Sequence, residues 1–423
     1  MNRRRTLLAG CAAAIAGAQP RRRYRTAVVG TGWWGMNIAR EAIRSRDCEI
    51  VAVCDVDENQ IGPAAAEVER LSGDRPRRYK HFPDMLAKEK PEICIVATPD
   101  HWHPLITIEA VKTGAHVYVE KPVSHTIAEG RAMVAAARGA NRVVQVGTHR
   151  RVSPHNISGM DFLRSGKVGK IAMVRAFVHN AAGPGTKTPD SEPPAALDWD
   201  FWCGPAPKNA FNASLHPRGF RYHLDYANGV IGDWGIHWFD QILWWTEEKW
   251  PLRVYSTASR RVKQDSLNAP DTQIATFEFE SFTATWEHRQ YGGNNAEKAA
   301  LGCYFYGTEG TMHLGWRDGW TFYPADPRKA TIHMDAKLNE PDSQNIRELF
   351  ADFLHSIRSG RRVACDIETG HRATAMSLLA MMSWRTGRAL SWDGAREKVA
   401  GDDSANRLLT RPYRSPWRYP KGA

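Results

Sequence analysis

The run Gly30-Thr31-Gly32-Trp33-Trp34-Gly35 restricts the fold of this chain more than any other feature. It follows the apolar segment Ala27-Val28-Val29, opens a helical pattern, and precedes Asp55 by about twenty residues at the end of a second apolar run. Each glycine has a mechanical reason in such a turn. Gly30 permits the tight bend, Gly32 lets the backbone approach a pyrophosphate, and Gly35 lets the helix pack close to the strand. The helix start then offers free N–H groups and a partial positive charge to phosphate oxygens. Asp55 is placed to accept hydrogen bonds from a ribose 2′-hydroxyl and to repel a 2′-phosphate. The expected cofactor is therefore NAD, and Arg40, Arg44 and Arg46 keep NADP open as the alternative. Thr31, Trp33 and Trp34 belong to the same cofactor-binding turn.

The pattern around this turn repeats. Between residues 24 and 148, short β-branched runs (26–29, 49–54, 93–97, 116–119, 143–146) alternate with helical stretches (36–46, 57–71, 104–113, 126–139). Continuous apolar runs without alternation suit strands covered on both faces, as in a parallel sheet with crossover helices. The expectation is an α/β, doubly wound domain over 24–148. Residues 149–423 then form a second, α+β domain, since 423 residues exceed one ordinary core. In it, alternating segments (171–179, 254–259, 273–279, 283–290, 303–306 and 311–314) predict an open, mainly antiparallel sheet with one buried face. Helices near 345–358 and 368–386 cover that sheet or pack back on the first domain. The Pro/Gly-rich stretch 182–207 is too long for a simple connection and is expected at a site or interface. Residues 408–420 read as an extended arm.

Bulk properties narrow the partners. The net charge is +11, but seven arginines and no acid lie in the first 25 residues, and removing those seven leaves +4 without a dense basic stripe. A nucleic-acid partner is not expected. No run approaches the roughly 20 apolar residues of a membrane span. Arg3-Arg4-Arg5-Thr6-Leu7-Leu8, an apolar run and Ala16-Gly17-Ala18 read as a twin-arginine export signal over residues 1–18, with a periplasmic or exported destination. A frayed cytoplasmic terminus and lipidation at Cys11 are the alternatives. The other six cysteines show neither disulfide nor zinc spacing.

Three further motifs accompany the glycine turn: Ala97-Thr98-Pro99-Asp100-His101-Trp102-His103, Glu120-Lys121-Pro122, and Gly232-Asp233-Trp234-Gly235-Ile236-His237-Trp238-Phe239-Asp240. Together they make the chain resemble the glucose–fructose oxidoreductase/inositol dehydrogenase/MocA family over nearly its whole length after the leader. The resemblance implies a Rossmann domain followed by an α/β domain, with substrate between them against the nicotinamide. It also implies that Thr98, Pro99 and His103 border the cofactor. Glu120 and Lys121 would lie beneath the nicotinamide, with Pro122 often cis and aiming Lys121. An open sheet face often pairs subunits in this family, so a homo-oligomer is expected.

Hydride removal from a carbinol carbon needs a group that accepts the hydroxyl proton. Asp233 and His237 stand four apart, so on a helix starting after Gly232 they share a face, continued by Asp240. The carboxylate would raise the imidazole pKa and orient it. His237 is thus the expected proton acceptor, Lys121 the electrostatic partner and Asp233 the orienter; exchanged roles of His237 and Lys121 remain open. A zinc at Asp233 and His237, with His223 or His179 as third ligand, is the less favoured reading. Arg150, Arg221, Tyr222, His223 and Asp240 are candidate substrate contacts, and the many tryptophans after residue 198 are core by default. Three functions follow: a dehydrogenase or reductase acting on a secondary hydroxyl of a sugar, cyclitol or glycoside, a redox-neutral glycoside hydrolase holding NAD permanently, or a non-catalytic nucleotide- or sugar-binding protein.

Overall fold

The computed structural model describes residues 22–293 and 296–420; the export signal expected over residues 1–18 lies outside them. In the first half, the apolar runs become six strands: β1 (Tyr24–Val29), β2 (Cys48–Cys54), β3 (Arg77–Tyr79), β4 (Ile93–Val96), β5 (His116–Val119) and β6 (Val144–Val146). They form one sheet in the order β3-β2-β1-β4-β5-β6, and every pair is parallel. Helices α1 (Trp33–Arg44), α2 (Glu58–Ser72), α3 (Phe82–Glu89), α4 (His103–Lys112) and α5 (Ile127–Gly139) alternate with them. All four residues of β4 are buried, as a strand covered on both faces requires. In such a sheet the ligand crevice lies beyond the carboxyl ends of the strands. Gly30, Asp55, Ala97-Thr98 and Glu120-Lys121 follow the ends of β1, β2, β4 and β5 there.

Beyond residue 148, helix α6 (Pro154–Arg164) leads into β7 (Ile171–His179). A two-stranded piece follows, β8 (Asp190–Ser191) with β9 (Phe211–Asn212), together with helices α7 (Trp199–Cys203) and α8 (Ile236–Thr246). The remaining strands are β10 (Arg253–Ser259), β11 (Thr272–Glu278), β12 (Thr283–Arg289), β13 (Leu301–Gly307), β14 (Gly310–Leu314), β15 (Trp320–Pro324), β16 (Ile332–Met334), β17 (Leu390–Asp393) and β18 (Lys398–Val399). With β7 they build a ten-stranded sheet in the order β16-β15-β14-β13-β7-β12-β11-β10-β17-β18. Only the central β7–β12 pair is parallel. Its inner face carries Val174, Ala176, Phe277, Trp286, Phe305 and Met312 against Trp238, Phe239 and Leu379. Met173, Tyr255 and Ile274 stay exposed on the opposite face.

The two late helices, α9 (Ile346–Ser359) and α10 (Ile367–Thr386), divide their work. Leu349, Phe350, Phe353 and Leu354 of α9 join the core of the first domain, where Phe350 and Phe353 pack on Tyr118. Residues Ala375 to Met382 of α10 fill the core beneath the large sheet. The terminal arm is irregular and docks on the first domain. Arg411 Nε lies 2.8 Å from buried Glu129, Tyr413 donates to the same carboxylate, and Trp417 packs edge-on against Trp102. Among the described residues no helix is long and apolar enough to cross a membrane.

Candidate active site

One cavity of about 1410 Å³ runs from the glycine turn to the large sheet's end of the cleft. That exceeds the 300–1,000 Å³ of ordinary small-molecule sites and leaves room for a dinucleotide beside a second ligand. At the cofactor end it is lined by Gly30, Gly32, Trp33, Trp34, Asp55, Thr98, Pro99 and Glu120. Gly30 has φ +84°, and a Cβ there would lie 2.6 Å from the Ala97 carbonyl oxygen; a Cβ on Gly35 would lie 1.9 Å from the Gly30 oxygen. A Cβ on Gly32 would meet nothing within 4 Å and would enter the cavity, and no side chain caps α1. The first turn of α1 is thus shaped for a pyrophosphate. Asp55 receives the Thr31 N–H at 2.7 Å and the Asp57 N–H at 3.1 Å, which fixes it at the strand end. Burial nevertheless pushes its carboxyl up to about 6, against the lowering effect of those hydrogen bonds. Arg40 is bound to Glu67 and Asn37.

On the same side, Lys121 follows β5 at a cis Lys121–Pro122 peptide and reaches across the cleft. Its Nζ donates to Asp233 Oδ1 at 2.6 Å and to the Asp233 carbonyl oxygen at 3.2 Å. Arg221 Nε stands 3.5 Å from the same Oδ1. Burial acts to raise Asp233, but Lys121 and Arg221 outweigh it and hold the carboxyl below the usual range. His237, Trp234, Trp316, Arg317 and Asp318 complete this end of the cavity.

The segments that carry the glycine turn with Lys121, and Asp233 across the cleft from them, are matched by two family profiles. One, for the NAD-binding Rossmann fold of the oxidoreductase family, covers residues 24–148, and the other, for its C-terminal alpha/beta domain, covers 177–419. The chain belongs to the Gfo/Idh/MocA oxidoreductase family. It is 27% identical over 227 residues to the rhizopine catabolism protein MocA of Rhizobium meliloti, covering 54% of this chain and 58% of that protein. Glycosyl hydrolase family 109 protein 1 of Akkermansia muciniphila is 27% identical over 167 residues, 38% of this chain and 34% of that one. The chain thus spans roughly a third to three fifths of these curated relatives. The WlbA dehydrogenase of Bordetella pertussis, solved with NADH and UDP-GlcNAcA, superimposes with a TM-score of 0.65 at 20% identity, over 88% of this chain and 99% of that one.

Within this Gfo/Idh/MocA scaffold several sequence expectations change. Asp233 does not orient His237. Residues Ile231–Gly235 form a wide π-helical turn rather than the start of α8, so spacing by four no longer aligns the two side chains. The Asp233 carboxylate goes to Lys121, and His237 Nδ1 is enclosed without a partner. Burial, then Lys121, Arg150 and His149, push the His237 imidazole well below its ordinary pKa, the reverse of the expected rise. His237 lines the cavity with its ring held toward the neutral form by burial and by these positive neighbours.

Of the expected substrate contacts, Arg221 and Tyr222 line the cavity, while Arg150, His223 and Asp240 do not. Arg150 is 1% exposed and stacks under Trp316 with its guanidinium carbon 3.6 Å from the ring centre. Asp240 is paired with Arg151 Nε at 2.9 Å, and His223 faces Asp225. Among the expected cofactor contacts, Thr31, Gly35 and His103 act behind the surface. The ring nitrogens of His103 stand 2.7 and 2.9 Å from the carbonyl oxygens of Pro122 and Thr98, and its one N–H donates to one of them, between two loops that border the cofactor. His179 lies on the large sheet with Glu287 and Glu297, far from the role of third ligand to Asp233 and His237, and Arg175 and Arg289 pair with those glutamates. Trp316, expected in the core by default, lines the cavity, as do Asp318 and Asp100, which were not among the expected site residues. Asp100 alone carried a signal, since it stands inside the Thr98-to-His103 motif.

Proposed function

We propose that this protein is an NAD-dependent oxidoreductase that interconverts a secondary hydroxyl and a carbonyl on a sugar, cyclitol or glycoside. The Lys121–Asp233 ion pair carries the reading. It faces the glycine turn within one cavity, where a cation stabilises the negative charge developing on a reacting oxygen. Gly30, Gly32, Trp34, Asp55, Thr98 and Glu120 would hold the cofactor. When bound, the nicotinamide supplies the acceptor or donor of hydride. His237 hydrogen-bonds a substrate hydroxyl, and Trp234 and Trp316 offer flat apolar faces to the C–H side of a ring. Asp55 favours NAD over NADP, because Arg40 is engaged by Glu67.

A redox-neutral glycoside hydrolase is the second reading, favoured by the likeness to the family 109 glycosyl hydrolase. Arg218 also stacks 4.9 Å over the exposed Trp33 at the mouth of the cofactor end, a contact suited to retaining a nucleotide. A twin-arginine leader carrying the loaded protein out of the cytoplasm agrees with a resident cofactor. The exposed Met173, Tyr255 and Ile274 support pairing of two copies through the large sheet.

The deciding experiment is to purify the protein, extract and identify its nucleotide, and incubate it with carbohydrates and glycosides. Turnover of added NAD establishes the first reading. Glycoside cleavage with a stoichiometric bound nucleotide and no net NADH establishes the second. Bound nucleotide inert to every compound defeats both and leaves a binding protein.

A further inference from the structure

The strand order fixes which half of a dinucleotide lies where. The glycine turn ends β1 and Asp55 ends β2, so the adenosine half runs toward β2 and β3 and the nicotinamide half toward β4 and β5. On the adenosine side the first domain lines the cavity with Val56, Gln60 and Lys80. The crevice of a doubly wound domain lies outside its strand ends, so a facing wall has to come from elsewhere. Here the second domain supplies it, through Phe201 and Trp202 of α7 and His216 beyond β9.

This wall is fastened to the first domain by backbone and by rings. The Asp198 N–H donates to the Val56 carbonyl at 2.9 Å, and the Glu58 N–H to the Ala196 carbonyl at 3.0 Å. Trp102 Nε1 donates to the Trp202 carbonyl at 2.9 Å. Phe201 stacks on both Trp102 and His81, with ring centres 5.1 and 4.1 Å apart. Gly204, which closes α7, has φ +52°, and a Cβ there would lie 2.1 Å from the Trp102 ring.

The terminal arm holds the same wall from outside. Trp417 meets Trp102 and Phe201 edge-on, with ring centres 4.8 and 5.3 Å apart. Arg414 Nε donates to the Gly204 carbonyl at 3.1 Å, and its two terminal nitrogens reach the Asp200 carbonyl at 2.7 Å and carboxylate at 2.9 Å. Its backbone N–H donates to the Pro205 carbonyl at 3.0 Å. Trp102 and Phe201 also line the cavity, so a single layer of rings separates the arm from the cofactor groove.

We propose that residues 196–217 form a cover over the adenosine half of the cofactor, and that residues 411–417 are its latch. This rests on the dinucleotide reading of the glycine turn and is independent of which carbohydrate reacts. For the adenosine half to leave, Phe201 and Trp202 have to part from Val56 and Lys80, and that movement breaks their contacts with Trp417 and Arg414. Exchange of the nucleotide is then paced by the latch, not by the carbohydrate.

The test loads the full chain with radiolabelled NAD and chases it with unlabelled NAD. Trp417→Ala removes the ring contacts and Arg414→Met the side-chain bonds to α7, while Arg411 keeps its pairing with Glu129 in both. Label release is expected to quicken by about tenfold or more in each variant with association no slower, since a loosened grip shows chiefly in the dissociation rate. Melting of the cofactor-free protein reports any purely structural role of the arm. A lower Tm with wild-type label release overturns the proposal, and so does a wild type that loses label as fast as the variants. If one variant fails to fold, the other decides. A wild type that takes up no label at any concentration sinks the dinucleotide reading itself, a result distinct from a failed latch.

Discussion

Lys121 and Asp233 are 112 residues apart, yet the ammonium and carboxylate stand 2.6 Å from each other across the cleft. The pair joins the end of β5 in the first domain to the π-helical turn before α8 in the second. Each side chain is less than one-fifth exposed, so neither charge is well solvated without the other.

Lys121→Met is expected to lower kcat by about 10²–10⁴-fold while the protein still binds NAD. Equilibrium dialysis with NAD separates the two effects. Unchanged kcat removes Lys121 from the site.

The glycine turn makes a paired prediction. Gly32→Ala keeps the fold but places a methyl group where the pyrophosphate would lie, so NAD affinity falls at least tenfold with little change in Tm. Gly35→Ala drives a Cβ to 1.9 Å from the Gly30 carbonyl and disturbs the fold itself, lowering Tm as well as affinity. Equal behaviour of the two variants contradicts this division.

Asp55 gives a pH prediction. Its carboxyl is raised from the ordinary 3.8 to about 6 in the fold, so the native state binds more protons than the unfolded chain between those values. Stability of the cofactor-free protein therefore declines as pH rises from about 4 to 6 as far as this group is concerned. Cofactor affinity moves the opposite way, because the ionised carboxylate is the better acceptor for ribose hydroxyls. NAD titrations from pH 5 to 8 should show binding strengthening through about pH 6 in the wild type, and a flatter dependence in Asp55→Asn.

Glu129 supplies a stability prediction far from the cleft. It is fully buried, and Arg411 from the terminal arm is its charged partner at 2.8 Å. Arg411→Met leaves that charge enclosed with only neutral donors and should cost about 3–5 kcal/mol in urea unfolding. A loss below about 1 kcal/mol shows that the arm is not needed to hold the first domain.

Much of this arrangement was legible residue by residue. The runs ending at Val29, Cys54 and Val96 read as buried parallel strands because no polar residue interrupts them. The segment Arg77–Tyr79 was missed because an edge strand of Arg-Arg-Tyr lacks the apolar run, with Arg77 and Arg78 exposed and Tyr79 half-buried. The roles of Asp233 and His237 were misjudged because sequence spacing assumes 3.6 residues per turn. The π-helical turn at Ile231–Gly235 breaks that assumption, and a lysine 112 positions away competes for the carboxylate. Arg150 and Asp240 looked like substrate contacts because charge suggests exposure. The Trp316 face, 166 residues from Arg150, and Arg151, 89 residues from Asp240, allow both to be buried.

The placement of α9 bears on the order of events at the ribosome. Its Leu349, Phe350, Phe353 and Leu354 finish the interior of a domain whose last strand ends at Val146, some two hundred residues earlier. During synthesis the nucleotide-binding half thus emerges with one flank of its sheet bare, and it stays so until most of the chain has been made. The first domain's interior is therefore completed by a segment made long after its last strand, and the two halves of the sequence cannot be separated at residue 148 without opening that core.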